Sequence, residues 1–242
     1  MKLMLCSLLT FCLCAATAAP LDPGCRQVIL VLSRDWSEIH GRMFLFDKGS
    51  HWTEYRGDIP VTLGRSGLGW GLGLHPANLP GPEKREGDGR APAGIFSIGD
   101  CMGYAPAPPF QTAYKYVHTL PSILGIDDPE SQYYNQIIDT AGLPQGVTWK
   151  SFETMRRDDI LYKWLFVVNH NPLRIPQMGS LIFIHIWRGS DKSTSGCTAM
   201  CEYDMLDLMR WLDRSRSPLL VQMPVEAYQK YRKAWKLPDV KL

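Results

Sequence analysis

Two residues of this chain combine the right types and spacing for covalent chemistry, Cys197 and His185. His185 interrupts the apolar run Leu181-Ile182-Phe183-Ile184-His185-Ile186-Trp187, and a polar loop from Arg188 to Thr194 then leads into Ser195-Gly196-Cys197-Thr198. In a strand, Phe183, His185 and Trp187 share one face, and the loop is long enough to return Cys197 to the imidazole. A thiol beside an imidazole can exist as thiolate and imidazolium, which activates sulfur at neutral pH, and a nearby helix amino terminus favours the thiolate further. Gly196 lets the backbone turn tightly, and amides at Cys197 and its neighbours Gly196 and Thr198 can face a developing oxyanion. Ser195, or a backbone carbonyl of the loop, can orient the ring. Other readings stay open at this point. A lone histidine in an apolar strand is more often packed core than catalyst, and Cys197 can be an inert buried thiol or the partner of Cys201 in a disulfide. Histidine and two cysteines also suit zinc, although no fourth ligand is evident; His170 is the nearest remaining histidine in sequence. The six histidines contain no HExxH pair, which excludes a zincin at motif level.

The elements that must hold this pair read as mainly β. Short apolar runs bounded by turn residues predict strands at Val28 to Leu32, Met43 to Phe46, Ile59 to Leu63, Ile95 to Ile98, Leu165 to Val168, Leu181 to Trp187 and Leu219 to Met223. Helical spacing is clear after the cysteines, where Met205, Leu208, Met209 and Leu212 recur three and four apart, and a second helix is expected from Val225 to Trp235. No repeat or Ser/Gly linker divides the chain, so residues 19–242 read as one domain, with an insertion around 104–149 and a helical tail. Gly64 to Gly73, with glycine at every second place in its latter part, lacks the spacing of a nucleotide loop and reads as a turn or bulged strand closely approached by another backbone.

Composition narrows the function further. With 26 Lys+Arg against 24 Asp+Glu the net charge is +2, and without a long basic run nucleic acid is excluded as a partner. The 21 glycines and 18 prolines disfavour a helix bundle. Met1-Lys2, an apolar stretch and the small triplet Ala16-Thr17-Ala18 predict a signal peptide over residues 1–18. The apolar stretch is shorter than the roughly 20 residues of a membrane span, and Phe11 and Leu13, before Cys12 and Cys14, fit a lipoprotein site poorly. The mature chain then keeps Cys25, Cys101, Cys197 and Cys201, of which Cys25 and Cys101 are far apart in sequence and free to pair.

Taken together, His185 with Ser193-Thr194-Ser195-Gly196-Cys197, and the earlier Gly87-Asp88-Gly89-Arg90-Ala91-Pro92-Ala93-Gly94-Ile95-Phe96, resemble the two signatures of the YkuD-type L,D-transpeptidase catalytic domain. The resemblance covers most of the mature chain and implies a mainly β (α+β) sandwich or barrel with a helix after the cysteine. It implies an exported enzyme of the bacterial periplasm or envelope, acting on peptidoglycan stem peptides without metal or cofactor. Cys197 would attack an L-to-D peptide bond to form a thioester, with His185 moving protons, and a second stem's side-chain amine would resolve it. Many members of the family carry arginine two residues after the cysteine. Ala199 stands there instead, and Gly196-Cys197-Thr198-Ala199-Met200 is similar to a G-C-x-A-M subgroup that includes hydrolases releasing lipoprotein from peptidoglycan. Hydrolysis on the same scaffold is therefore the alternative reaction, and a peptidoglycan-binding, zinc or redox protein the non-enzyme one. Arg188 and Trp187 beyond the histidine strand, and Tyr133 and Tyr134 of the insertion, are the expected substrate contacts.

Overall fold

Val28-Ile29-Leu30-Val31 is apolar on both faces, which suits a strand covered on each side, and these residues are fully buried in β1 (Gln27–Ser33) of the computed structural model, which describes residues 21–241. The leader reading lies outside the described residues. β2 (His40–Lys48) and β3 (Trp52–Thr62) follow as antiparallel neighbours, and β3 begins well before its expected start at Ile59. The glycine-rich stretch contains β4 (Leu68–Trp70), beside the long β5 (Ala91–Gly103). A Cβ on Gly64 would lie 2.2 Å from the Gly89 carbonyl oxygen, so the close backbone approach expected from the sequence is present.

The insertion is not a structureless excursion. It carries β6 (Tyr116–His118), which pairs with β5, and then β7 (Ile123–Ile126) and β8 (Gln136–Asp139), which with β9 (Glu153–Thr154) just after it form a sheet of their own in the order β8–β7–β9. The chain returns through β10 (Leu165–Val168), β11 (Phe183–Ile186) and β12 (Thr198–Met200), continues into α1 (Glu202–Trp211), and ends with β13 (Leu219–Pro224) and α2 (Val225–Tyr231). The expected second helix stops short of Trp235, which folds back to stack on Tyr231 with ring centroids 4.8 Å apart.

Strand pairing runs β10–β11–β12–β3–β2–β1–β13–β5, and β10 pairs again with β5, so these strands close into a barrel. Closure leaves none of the eight with a free edge. α2 packs on β1 and β13, and α1 on β11. The main apolar core fills the barrel and the contacts beneath the helices; a second cluster, Met102, Met155, Leu161, Tyr162, Leu165, Leu181, Phe183 and Cys197, joins the insertion to the barrel wall. No helix among the described residues is long and apolar enough to cross a membrane.

Candidate active site

β11 and β12 are parallel neighbours with His185 opposite Ala199 and Ile184 opposite Thr198. Cys197 immediately precedes β12, so its backbone comes level with Phe183, whose N–H donates to Cys197 Sγ at 3.3 Å. Both Cys197 and His185 line one cavity of about 360 Å³, together with Trp187, Arg188, Ser195 and Gly196. The turn is held by a residue the sequence reading passed over. Thr194 Oγ1 accepts from Gly196 N at 3.1 Å and donates to the Cys197 carbonyl at 2.7 Å. Gly196 has φ 153, and a Cβ there would sit 3.0 Å from the Arg90 carbonyl, so a side chain at this place meets both strain and backbone.

The histidine is oriented by its own strand. His185 Nδ1 lies 2.7 Å from the Ile186 carbonyl oxygen, which can only accept, so Nδ1 carries the proton and Nε2 is the free base. The orienting carbonyl therefore comes from the strand and not from Ser195 or the loop. The Tyr162 ring packs edge-on against His185 at 5.4 Å and against Phe183 at 5.5 Å, while its hydroxyl donates to Glu153 Oε2 at 2.6 Å. Arg157 lies over the other part of this ring, 5.2 Å from its centroid, and pairs with Asp159.

Burial sets the resting protonation. It pushes the Cys197 thiol up to about 12 and holds His185 down at about 4, so the resting pair is neutral thiol and neutral imidazole. This differs from the thiolate–imidazolium pair expected from the sequence. The helix that was to favour the thiolate is displaced: β12 intervenes, and Cys201 occupies the N-cap of α1.

The remaining expected residues divide. Thr198 is turned into the core, where its hydroxyl donates to Gln222 Oε1 at 2.7 Å, and Gln222 in turn donates to the Pro92 carbonyl at 2.9 Å. Tyr133 packs on Trp149 with centroids 6.2 Å apart, and Tyr134 is buried with its hydroxyl on Glu86, so neither lines the cavity; Glu86 does. The insertion reaches the site through Asp127, and the segment that follows it through Glu153, Arg157 and Tyr162, which fall where the sequence offered no periodic pattern. The Gly87–Phe96 segment is largely architectural. Asp88 accepts from Arg85 N, Arg90 N and Lys84 Nζ, and Arg90 Nη1 donates to the carbonyls of Ser66 and Leu68, each at 2.8 Å.

The four cysteines of the described residues are free thiols, so the expected freedom of Cys25 to pair with Cys101 is not used. Cys197 and Cys201 flank an extended segment that rises about 3.3 Å per residue, which puts their Cα atoms on the order of 13 Å apart and beyond a disulfide. Cys201 Sγ instead donates to Asp204 Oδ2 at 3.0 Å. Among the described residues no three His, Cys, Asp or Glu side chains stand close enough to hold one metal ion.

No curated protein and no solved structure matches the chain. The family model of the L,D-transpeptidase catalytic domain, YkuD, matches residues 35–226. That match takes in everything from β2 to β13, including the strand of His185 and the turn of Cys197, and the chain therefore belongs to the YkuD family of L,D-transpeptidase catalytic domains.

Proposed function

We propose that the protein is a cysteine-dependent L,D-transpeptidase of peptidoglycan stem peptides, working through a thioester on Cys197. The observation that carries this reading is the opening of Cys197 and His185 into one cavity from adjacent paired strands, with the imidazole tautomer fixed so that Nε2 is unprotonated. In the first half-reaction Sγ attacks the carbonyl carbon of the L-to-D peptide bond as His185 Nε2 takes the thiol proton. The C–N bond then breaks, and the leaving amine of the D-residue receives that proton from His185. In the second, an acceptor amine attacks the thioester and gives a proton to His185, the C–S bond breaks, and the sulfur regains its proton. Because the resting pair is neutral, proton transfer accompanies attack and does not precede it. The Gly196 N–H is already given to Thr194 Oγ1, so the oxyanion is assigned to the Cys197 amide.

Transfer is preferred to hydrolysis because Asp127 of the insertion, with Glu153, Arg157 and Tyr162 after it, walls one side of the cavity and offers a surface on which an acceptor can be held beside the thioester. Ala199 is wholly buried opposite His185, so a cation for a stem carboxylate has to come from elsewhere on the wall; Arg157 and Arg188 supply it. The apolar leader at residues 1–18 supports export to the envelope, and envelope protein is expected to begin after Ala18. The test of the reaction is incubation with donor and acceptor stem peptides followed by mass spectrometry of the products. Cross-linked dimers made by the wild type and absent with Cys197→Ala support transfer. Trimmed monomers alone, at every acceptor concentration, move the assignment to a hydrolase.

A further inference from the structure

We infer that Leu181 is the positioning residue of the nucleophile: its carbonyl oxygen takes the Cys197 thiol proton at rest, and Asn135 of the insertion holds that carbonyl in place. Its role in turnover rests on Cys197 being the nucleophile, as proposed above; the contact itself does not. Cys197 Sγ has two hydrogen-bond partners among the described residues, and His185 is neither of them. The thiol donates to the Leu181 carbonyl at 3.7 Å, a length that the large sulfur atom allows, and the Phe183 N–H donates to Sγ at 3.3 Å. Both groups belong to the segment that enters β11, so a carbonyl and the N–H two residues on grip the sulfur together. Its second lone pair stays free for the cavity that Cys197 lines.

Leu181 reaches this position in a conformation that costs energy. Its φ is 50, in the left-handed region that a bulky side chain avoids, and such outliers persist only where the surroundings over-determine them. The strain has a use. An extended residue turns its N–H and C=O to the same side, whereas a residue in a helical conformation of either hand points them apart. Leu181 can therefore give its N–H to Asn135 Oδ1 at 3.0 Å while its carbonyl serves Cys197. Asn135 is itself fixed: its Nδ2 donates to the His170 and Asn171 carbonyls, and its backbone N–H donates to Ile126 O, at the end of β7, at 2.8 Å. The Leu181 side chain closes on β7 as well, since a Cβ on Gly125 would lie 2.8 Å from Leu181 Cδ1. One residue thus joins the insertion's sheet to the sulfur.

At rest the proton points at a neutral carbonyl, which yields it once a stronger base is offered. When a donor stem fills the cavity, the S–H turns about the Cβ–Sγ bond from the Leu181 carbonyl to His185 Nε2, while the Phe183 N–H keeps the sulfur in place for attack. The S–H stretch, read by infrared difference against Cys197→Ala, reports the contact without any turnover. Replacing the peptide bond after Leu181 by an ester weakens that carbonyl as an acceptor and alters no side chain, so the band is expected to move to higher frequency. Acylation of Cys197 by a donor stem peptide then separates aiming from packing. Leu181→Gly accepts a left-handed backbone and loses the side chain, whereas Leu181→Ile keeps the volume and resists that backbone. Aiming predicts that Leu181→Gly retains at least about tenfold more of kcat than Leu181→Ile, with KM little different between the two. Packing alone predicts the opposite order. An equal or reversed order, or a band unmoved by the ester, overturns the assignment; the ester decides the matter if Leu181→Ile does not fold. If the wild type forms no thioester while the band still moves, the contact stands and the transpeptidase reading falls.

Discussion

At Cys197 the sulfur is buried in an apolar cluster yet opens to the cavity, a setting that keeps it protonated at neutral pH and, in the proposed mechanism, until a substrate and His185 act together. Two consequences follow for measurement. Because His185 sits at about 4 and Cys197 at about 12, kcat/KM is expected to stay level across the neutral range and to fall only as His185 gains a proton near its own value, losing the base. A profile that instead rises with a thiol titrating near 8.5 contradicts the neutral resting pair. Thr194→Ala removes both clamps on the nucleophile turn, at a cost of about 1–2 kcal/mol in stability, and lowers kcat more than it raises KM; Thr194→Ser restores both bonds and the rate. That Cys197, His185 and Gly196 meet at one cavity was legible from sequence because a strand, a short polar loop and a glycine turn bring the chain back beside itself. Thr194 was not, since a hydroxyl that bonds two groups of its own loop looks in sequence like any other threonine. The protonation state was equally hidden, because it depends on burial.

Among the elements, strands with two apolar faces or clear alternation announced themselves, and β10 runs over the residues expected of it. β12 did not: three residues between a polar loop and a helix carry no period, and only pairing with β11 and β3 makes them a strand. The insertion's sheet was hidden for a similar reason, its strands being short and half-exposed. Beside its apolar contacts, this sheet is tied through one polar side chain to the segment that leads into β11. Asn135, at φ 56, donates from Nδ2 to the carbonyls of His170 and Asn171, each at 3.0 Å, and accepts from Leu181 N at 3.0 Å. Asn135→Ala is expected to lose about 2–4 kcal/mol, from three bonds and a left-handed backbone without glycine or asparagine. Asn135→Gly keeps the backbone and loses only the bonds. Thermal melts and kcat of the two variants check this: both lose turnover, and glycine retains more stability. Equal turnover in Asn135→Gly and wild type contradicts a role for the insertion in shaping the site.

For the whole molecule, closure of the barrel buries imidazoles that must stay neutral. His75 accepts from Ile95 N at 3.1 Å and His170 from Leu72 N at 3.2 Å, both through Nδ1, and burial holds each ring near 4. Their unfolded-state value is about 6.5, so the unfolded chain binds more protons between those limits. The stability they contribute is complete above about 6.5 and is lost progressively as pH falls through about 4, by up to about 3 kcal/mol for each ring. The melting temperature is therefore expected to decline from pH 6.5 towards 4, before the carboxylates with depressed values titrate; a level melting curve across that window contradicts neutral buried rings. The central claim, that this barrel exists to present Cys197 as an acyl carrier, is tested most directly by the intact mass of the protein after brief exposure to a donor stem peptide. The account predicts a mass increase equal to the donor less its terminal D-residue, mapped to Cys197 by peptide sequencing, abolished in Cys197→Ala and discharged by an acceptor amine. Turnover of the donor with full activity in Cys197→Ala, or an adduct on Cys201 in place of Cys197, contradicts it.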